Sequence, residues 1–247
     1  MLYNKSMPIK EDEGIVLRSI KIKEIDKIVT IFSRENGIVK GVAKGALKFN
    51  NRFGSSLEPL SHIKFIYYER EGRELFVIRT AEIIKSYFEI QRDPKIFEGF
   101  SQMVELLEEF VPQRVKEETI FRLLKACLDA TSKGIGIEFS LLYFKFWLLK
   151  GTGFLPNLSR CKKCGKEGGG FLSPSMDGVY CNDCKIINTI EVTDLTSKFF
   201  SFISKNPPSN LKDFEIPENE RLKMENLINE LILYHIERLP KTLGLRK

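Results

Sequence analysis

The sequence predicts an α+β fold in which a small all-β barrel, residues 1–88, precedes a helical domain, residues 89–247. Three observations predict it. Short, β-branched, partly alternating runs fill most of residues 14–80. After Asp93-Pro94 the apolar residues change to helical spacing. Four of the five cysteines then crowd into residues 161–184, within the helical part. A chain of 247 residues has ample length to bury a core.

The strand candidates are "GIVLRSIKI" (14–22), "KIVTIFS" (27–33), "IVKGVAK" (38–44), "SHIKFIYYE" (61–69) and "RELFVIRT" (73–80). Asn36-Gly37 suits a tight hairpin turn, and a second turn ends at Gly72. Five strands with no long helical pattern among them fit a five-stranded oligonucleotide-binding (OB-like) barrel, with an SH3-like barrel as the alternative.

Asp93 can cap a helix whose first position suits Pro94, and Phe100, Met103, Val104 and Leu107 share one face. Ile120, Leu123, Leu124 and Cys127 repeat the spacing, and Gly134 is placed to end that helix. Residues 137–150 are apolar nearly all round, as a buried central helix would be. After the cysteines, residues 193–205 and 218–239 read as two further helices joined by "NPPSN".

Charge and length limit the function classes. The 39 Lys and Arg against 33 Asp and Glu give a net charge of +6. Residues 1–85 hold 16 of the cations and only 11 of the anions, an asymmetry that suits a polyanionic partner. The longest apolar run, "FSLLYFKFWLL" (139–149), is too short to span a bilayer. The segment "MLYNKSMPIKEDEG" lacks the apolar centre of a secretory signal, so a cytoplasmic location is expected. In that compartment clustered thiols read as metal ligands or redox groups before disulfides.

The cysteines are spaced Cys161-x2-Cys164-x16-Cys181-x2-Cys184, within the pattern of a zinc site built from two knuckles. Two residues between thiols let one tight turn aim both at one ion, and Gly165 permits the reversal. A thioredoxin-like couple needs one such pair opening a helix, and an iron–sulfur cluster fits paired knuckles less well. Four thiolates close the coordination sphere, which points to one structural Zn2+ in a segment of about 155–190. Neither histidine, His62 or His235, lies near the cluster in sequence. Cys127, on an apolar helix face, reads as a buried hydrophobe.

From Asn36 to Leu57 there is no acidic residue, yet Lys40, Lys44, Lys48 and Arg52 lie there. Strand period places Lys40 and Lys44 on one face, opposite Val39, Gly41 and Ala43. Lys48 and Arg52 alternate with Phe49 and Phe53, a mixture that suits single-stranded nucleic acid, where cations follow phosphates and rings stack on bases. Arg18, Lys21, Lys23, Lys27 and Arg34 add charge nearby in sequence. The same pattern also fits a solvated face with both phenylalanines plugging the barrel end. Four phosphate contacts predict a log-affinity against log-salt slope of about −3 on a single strand. No P-loop, dinucleotide fingerprint, zinc-protease helix or nucleophile elbow occurs, so catalysis is not expected. The rival readings are a zinc-braced protein adaptor and a zinc enzyme acting on nucleic acid.

Three longer stretches carry a resemblance: "GIVLRSIKIKEIDKIVTIFSRENGIVKGVAKGA" (14–46), "RFGSSLEPL" (52–60) and "GFLPNLSRCKKC" (153–164). Together with the order of barrel, helices and four-cysteine insertion, the sequence resembles the RecO family of bacterial DNA-repair proteins. That resemblance implies an OB-fold binding single- and double-stranded DNA, and a helical domain with a zinc knuckle. It implies strand annealing and, with RecR, loading of RecA onto DNA coated with single-strand-binding protein. The implied partners are DNA, RecR, the acidic C-terminal tail of single-strand-binding protein and, indirectly, RecA, near the nucleoid and away from membranes. The segment carrying Lys40, Lys44, Lys48 and Arg52 matches the family's basic N-terminal stretch. Here it is richer in lysine than arginine, which makes phosphate contacts less bidentate.

Overall fold

The computed structural model describes residues 9–69, 72, 74–187 and 189–236. Two compact units emerge: one comprises residues 1–97 and 107–125, the other 98–106 and 126–247. Residues 107–125, from the part expected to be helical, belong to the same compact unit as the barrel.

Five strands form a closed barrel: β1 (Ile9–Ile22), β2 (Asp26–Ser33), β3 (Gly37–Ala43), β4 (Ser61–Tyr68) and β5 (Phe76–Ser86). Around the barrel the order is β1-β2-β3-β5-β4. β1 starts earlier than its apolar pattern because its first half pairs with β4, from Ile9 opposite Tyr68 to Ile15 opposite His62. Its second half pairs with β2, and the register slips between Val16 and Arg18 where the strand bends from one neighbour to the other. β3 and β5 run parallel, pairing Gly41 with Phe76 and Val42 with Val77. The turn between β2 and β3 holds three residues and ends on Gly37 at φ +61°, a conformation that glycine adopts without strain.

The alternating residues point inward and fill the barrel with Val16, Val29, Ile31, Val39, Phe65 and Ile78, among others. Tyr67 stacks between Phe65 at 5.3 Å and Phe76 at 4.6 Å. The Asn36 amide donates to the Tyr67 hydroxyl at 3.1 Å and to buried Asp12 at 2.7 Å, and the Ser33 hydroxyl also donates to Asp12. The β2–β3 turn is thus tied to the core by groups whose hydrogen bonds are made internally. In the same unit Phe121 meets Phe32 edge-on at 5.8 Å.

The short α1 (Phe88–Gln91) leads to α2 (Pro94–Phe110) and α3 (Glu118–Ser132). Asp93 caps α2 as expected, accepting from the Lys95 N–H at 2.8 Å, with Pro94 in the first turn. Gly134 follows α3 at φ +93°. In the second unit α4 (Ile137–Gly151) is the central helix, with nine buried residues. Lys145, which interrupts its apolar run, is buried too; its ammonium donates to Asn229 at 2.9 Å and to Gln102 at 3.4 Å. β6 (Gly170–Leu172), β7 (Val179–Tyr180) and β8 (Ile190–Val192) form a small sheet in the order β7-β6-β8. None of these three strands was expected, since two or three residues are too few to establish a period. α5 (Asp194–Ile203) and α6 (Glu218–His235) complete the unit, with a 3₁₀ turn at Pro208–Asp213 where the linker was expected. The last residues of the expected final helix, 237–239, lie outside the described residues. Phe200 of α5 stacks on Phe146 of α4 at 5.2 Å. Among the described residues no helix is long and apolar enough to cross a membrane.

Candidate metal centre and nucleic-acid interface

The four cysteines converge. The Sγ atoms of Cys161, Cys164, Cys181 and Cys184 all lie within 4.8 Å of one another, and none forms a disulfide. Each pair sits in its own turn. In the first, the Gly165 N–H donates to the Cys161 carbonyl at 2.9 Å while Gly165 takes φ +76°. In the second, the Cys184 N–H donates to the Cys181 carbonyl at 3.0 Å. The Lys162 N–H donates to the Val179 carbonyl at 2.7 Å and so holds the first turn against β7. Ion pairs join Lys162 to Asp177, Arg160 to Glu167 and Lys166 to Asp183 across the same segment.

The donor set fits a tetrahedral ion. Zinc bonded to sulfur at about 2.3 Å places its thiolates about 3.8 Å apart. Cys164 and Cys181 stand at 3.6 Å. Backbone N–H groups of Cys164 and Cys181 draw the Cys161 thiol down to about 6. Cys184 is pushed up to about 12, first by its hydrogen bond with Cys181 and then by burial and the other two thiols. Four sulfurs this close cannot all carry charge unaided, and a bound divalent cation removes the conflict. The lone Cys127 is fully buried, and burial alone pushes its thiol pKa upward. The His62 Nε2–H donates to the Glu13 carboxylate at 2.6 Å inside the barrel unit, and His235 stacks on Phe154 at 4.4 Å. Neither belongs to the thiol cluster.

The cations of the barrel divide into two groups. Arg18 forms a two-pronged pair with Glu108 at 3.1 and 3.0 Å. Arg34 is held between Glu13 at 3.1 Å and Glu118 at 2.7 Å, and these partners raise its pKa further. Lys27 pairs with Glu58 at 2.6 Å. These three are already engaged by carboxylates. Lys21, Lys23, Lys40, Lys44 and Lys48 are exposed, and no carboxylate partners them among the described residues.

Two grooves collect the unpaired cations. The first, about 590 Å3, is lined among the described residues by Ile9, Lys44, Arg52, Tyr68, Val77, Ile78, Arg79 and Thr80, none of them acidic. The second, about 600 Å3, is lined by Lys23, Ile25, Asp26, Lys44, Gly45, Lys48, Asn50, Asn51 and Arg52. Its one acid, Asp26, accepts from the Gly45 N–H at 2.8 Å and thereby shapes the loop. Lys44 and Arg52 belong to both grooves, so the two are continuous. Arg52 is positioned by donating from Nε to the Arg79 carbonyl and by lying 4.6 Å over the Phe53 ring. Lys21 and Lys40 are exposed outside these grooves. The two phenylalanines separate: Phe53 is buried in the barrel core, whereas Phe49 is fully exposed.

Arg79 was missed in the sequence. It stands 27 residues beyond Arg52, and only the pairing of β5 with β3 and the Arg52 hydrogen bond bring it to Lys44 and Arg52. Its signal was local: a cation directly after the apolar run Phe76, Val77 and Ile78, exposed where those three are buried.

Two family descriptions cover almost all of this chain: "Recombination protein O N terminal" matches residues 7–87, and "Recombination protein O C terminal" matches residues 92–243. The chain belongs to the RecO family. The two matches meet between residues 87 and 92, just before Asp93-Pro94, after which the sequence period changes. A RecO relative named DNA repair protein RecO, from Koribacter versatilis, is 30% identical over 232 residues, covering 93% of this chain and 95% of the relative. One from Caldicellulosiruptor saccharolyticus is 28% identical over 227 residues, 91% of each chain. A third RecO relative, from Geobacter metallireducens, is 35% identical over 155 residues, 63% of each.

Proposed function

We propose that this chain is a non-enzymatic mediator of DNA repair and recombination whose barrel, of OB type, binds single- and double-stranded DNA. The observation that carries the reading is the pair of joined grooves where Lys23, Lys44, Lys48, Arg52 and Arg79 gather with Asp26 as the one acid among the described lining residues. The closed strand order and the parallel closure of β3 on β5 support the OB assignment. RecO family membership supports the repair role, since the relatives carry that name.

Neutralising phosphates lowers the repulsion between two complementary strands and releases counterions. Annealing by this route requires no nucleotide hydrolysis. On this reading RecR, the acidic tail of single-strand-binding protein and, indirectly, RecA are the protein partners. Cys161, Cys164, Cys181 and Cys184 hold one Zn2+, which supplies a rigid closed cross-link and no chemistry.

The test is annealing of labelled complementary oligonucleotides without ATP, followed across a salt titration. Acceleration over buffer that weakens with salt is expected. No acceleration, or binding indifferent to salt, would remove the mechanism.

A further inference from the structure

We propose that the joined grooves grip unpaired bases as well as phosphates, with Phe49 as a stacking platform and Arg79 as a phosphate contact. The proposal rests on the DNA-binding reading and deepens it.

The lining chemistry divides the work. Ile9, Tyr68, Val77 and Ile78 give the first groove a largely apolar surface. A phosphate placed on such a surface would lose water without gaining a partner. A nucleobase has an apolar π face and gains from the same contact. Lys44, Arg52 and Arg79 line this groove too, where they can meet the sugar-phosphate chain that carries the base.

A ring stands in the loop that borders the second groove, outside its lining. Phe49 lies between Lys48 and Asn50, both of which line it. Its side chain is fully exposed, while Phe53, four residues on, is buried in the barrel. The barrel core therefore has no use for Phe49. Exposing a whole aromatic ring forfeits its burial energy. A ring next in sequence to Lys48, at the border of a cationic groove, can recover that energy by stacking on an exposed base. Duplex DNA keeps its bases stacked on one another and presents phosphates only, so this grip acts on single strands.

The experiment compares a labelled oligothymidylate with an abasic sugar-phosphate strand of the same length and charge, titrated with the full chain at several salt concentrations. The oligothymidylate should bind at least about fivefold more tightly, the gain from one stacked base. Phe49→Ala should shrink that ratio while leaving the salt slope unchanged. Arg79→Gln should lower the slope by about 0.7. Equal affinity for both strands, each with a steep salt dependence, would overturn the base grip and leave phosphate binding intact. Binding of neither strand would overturn the DNA-binding reading itself. An unaltered ratio in Phe49→Ala would remove Phe49 from the grip.

Discussion

The barrel and the cysteine segment are stabilised by different means. The barrel closes five strands around its own apolar interior, with Ile31, Ile63, Phe65 and Tyr67 almost wholly buried. The cysteine segment has strands of two or three residues and a small buried apolar set that includes Leu172 and Val179. Short strands with little to bury do not repay the entropy of ordering a glycine-rich loop. Four thiols facing one point are placed so that one bound metal ion would supply the missing cross-link. The barrel has a core of its own, whereas the cysteine segment has its four thiols where one metal ion would tie it together.

Removing the metal should divide the two regions most sharply. Structural zinc contributes on the order of 10 kcal/mol in small zinc peptides. Treatment with a chelator, or Cys161→Ser, should erase amide-exchange protection across about 159–192 and spare β1–β5. Loss of protection in the barrel would show that the two regions are not independent.

The reciprocal change follows. Phe65→Ala should cost the barrel about 3–5 kcal/mol, read from chemical denaturation, because a large side chain leaves a cavity in a packed core. Metal content per chain, measured on the folded protein, should be unchanged.

A smaller effect sharpens the distinction among the barrel's cations. Lys44→Gln and Lys48→Gln should each lower the salt slope of single-strand binding by about 0.7. Arg18→Gln should leave the slope unaltered, since Glu108 already neutralises that guanidinium. Equal losses from both kinds of variant would mean that the internal ion pairs open on binding.

The slightest effect is with pH. Arg34 holds the Glu118 carboxyl below its usual value of 4.5. A lowered carboxylate pKa stabilises the fold above the unfolded value, and that contribution disappears as pH falls through the folded one. The pair is exposed and therefore weak. Wild type and Arg34→Gln should differ slightly in denaturation midpoint near about pH 7 and converge near about pH 3.

Much of this was legible along the chain. The alternation in β3 placed Lys40 outward and Val39, Gly41 and Ala43 inward, and the barrel follows it. Asp93-Pro94 marked the start of α2, and the uniformly apolar run from Ile137 became the buried α4. The four cysteines announced their convergence by spacing alone. The charged start of β1 was not legible, because "IKEDE" alternates without an apolar face and is a strand only through its pairing with β4. The roles of Phe49 and Phe53 were equally unreadable, since identical residues in one loop took opposite environments.

The sequence by itself determined the elements, the thiol set and the location of the basic stretch, because period, turn residues and ligand spacing are properties of neighbours along the chain. Only the tertiary structure decided which cations stay available. Strand register and chain folding place Glu108 on Arg18, Glu118 on Arg34 and Arg79 beside Arg52, at distances that sequence separation does not encode. Electrostatic pairing depends on separation in space, and that is fixed only when the barrel closes.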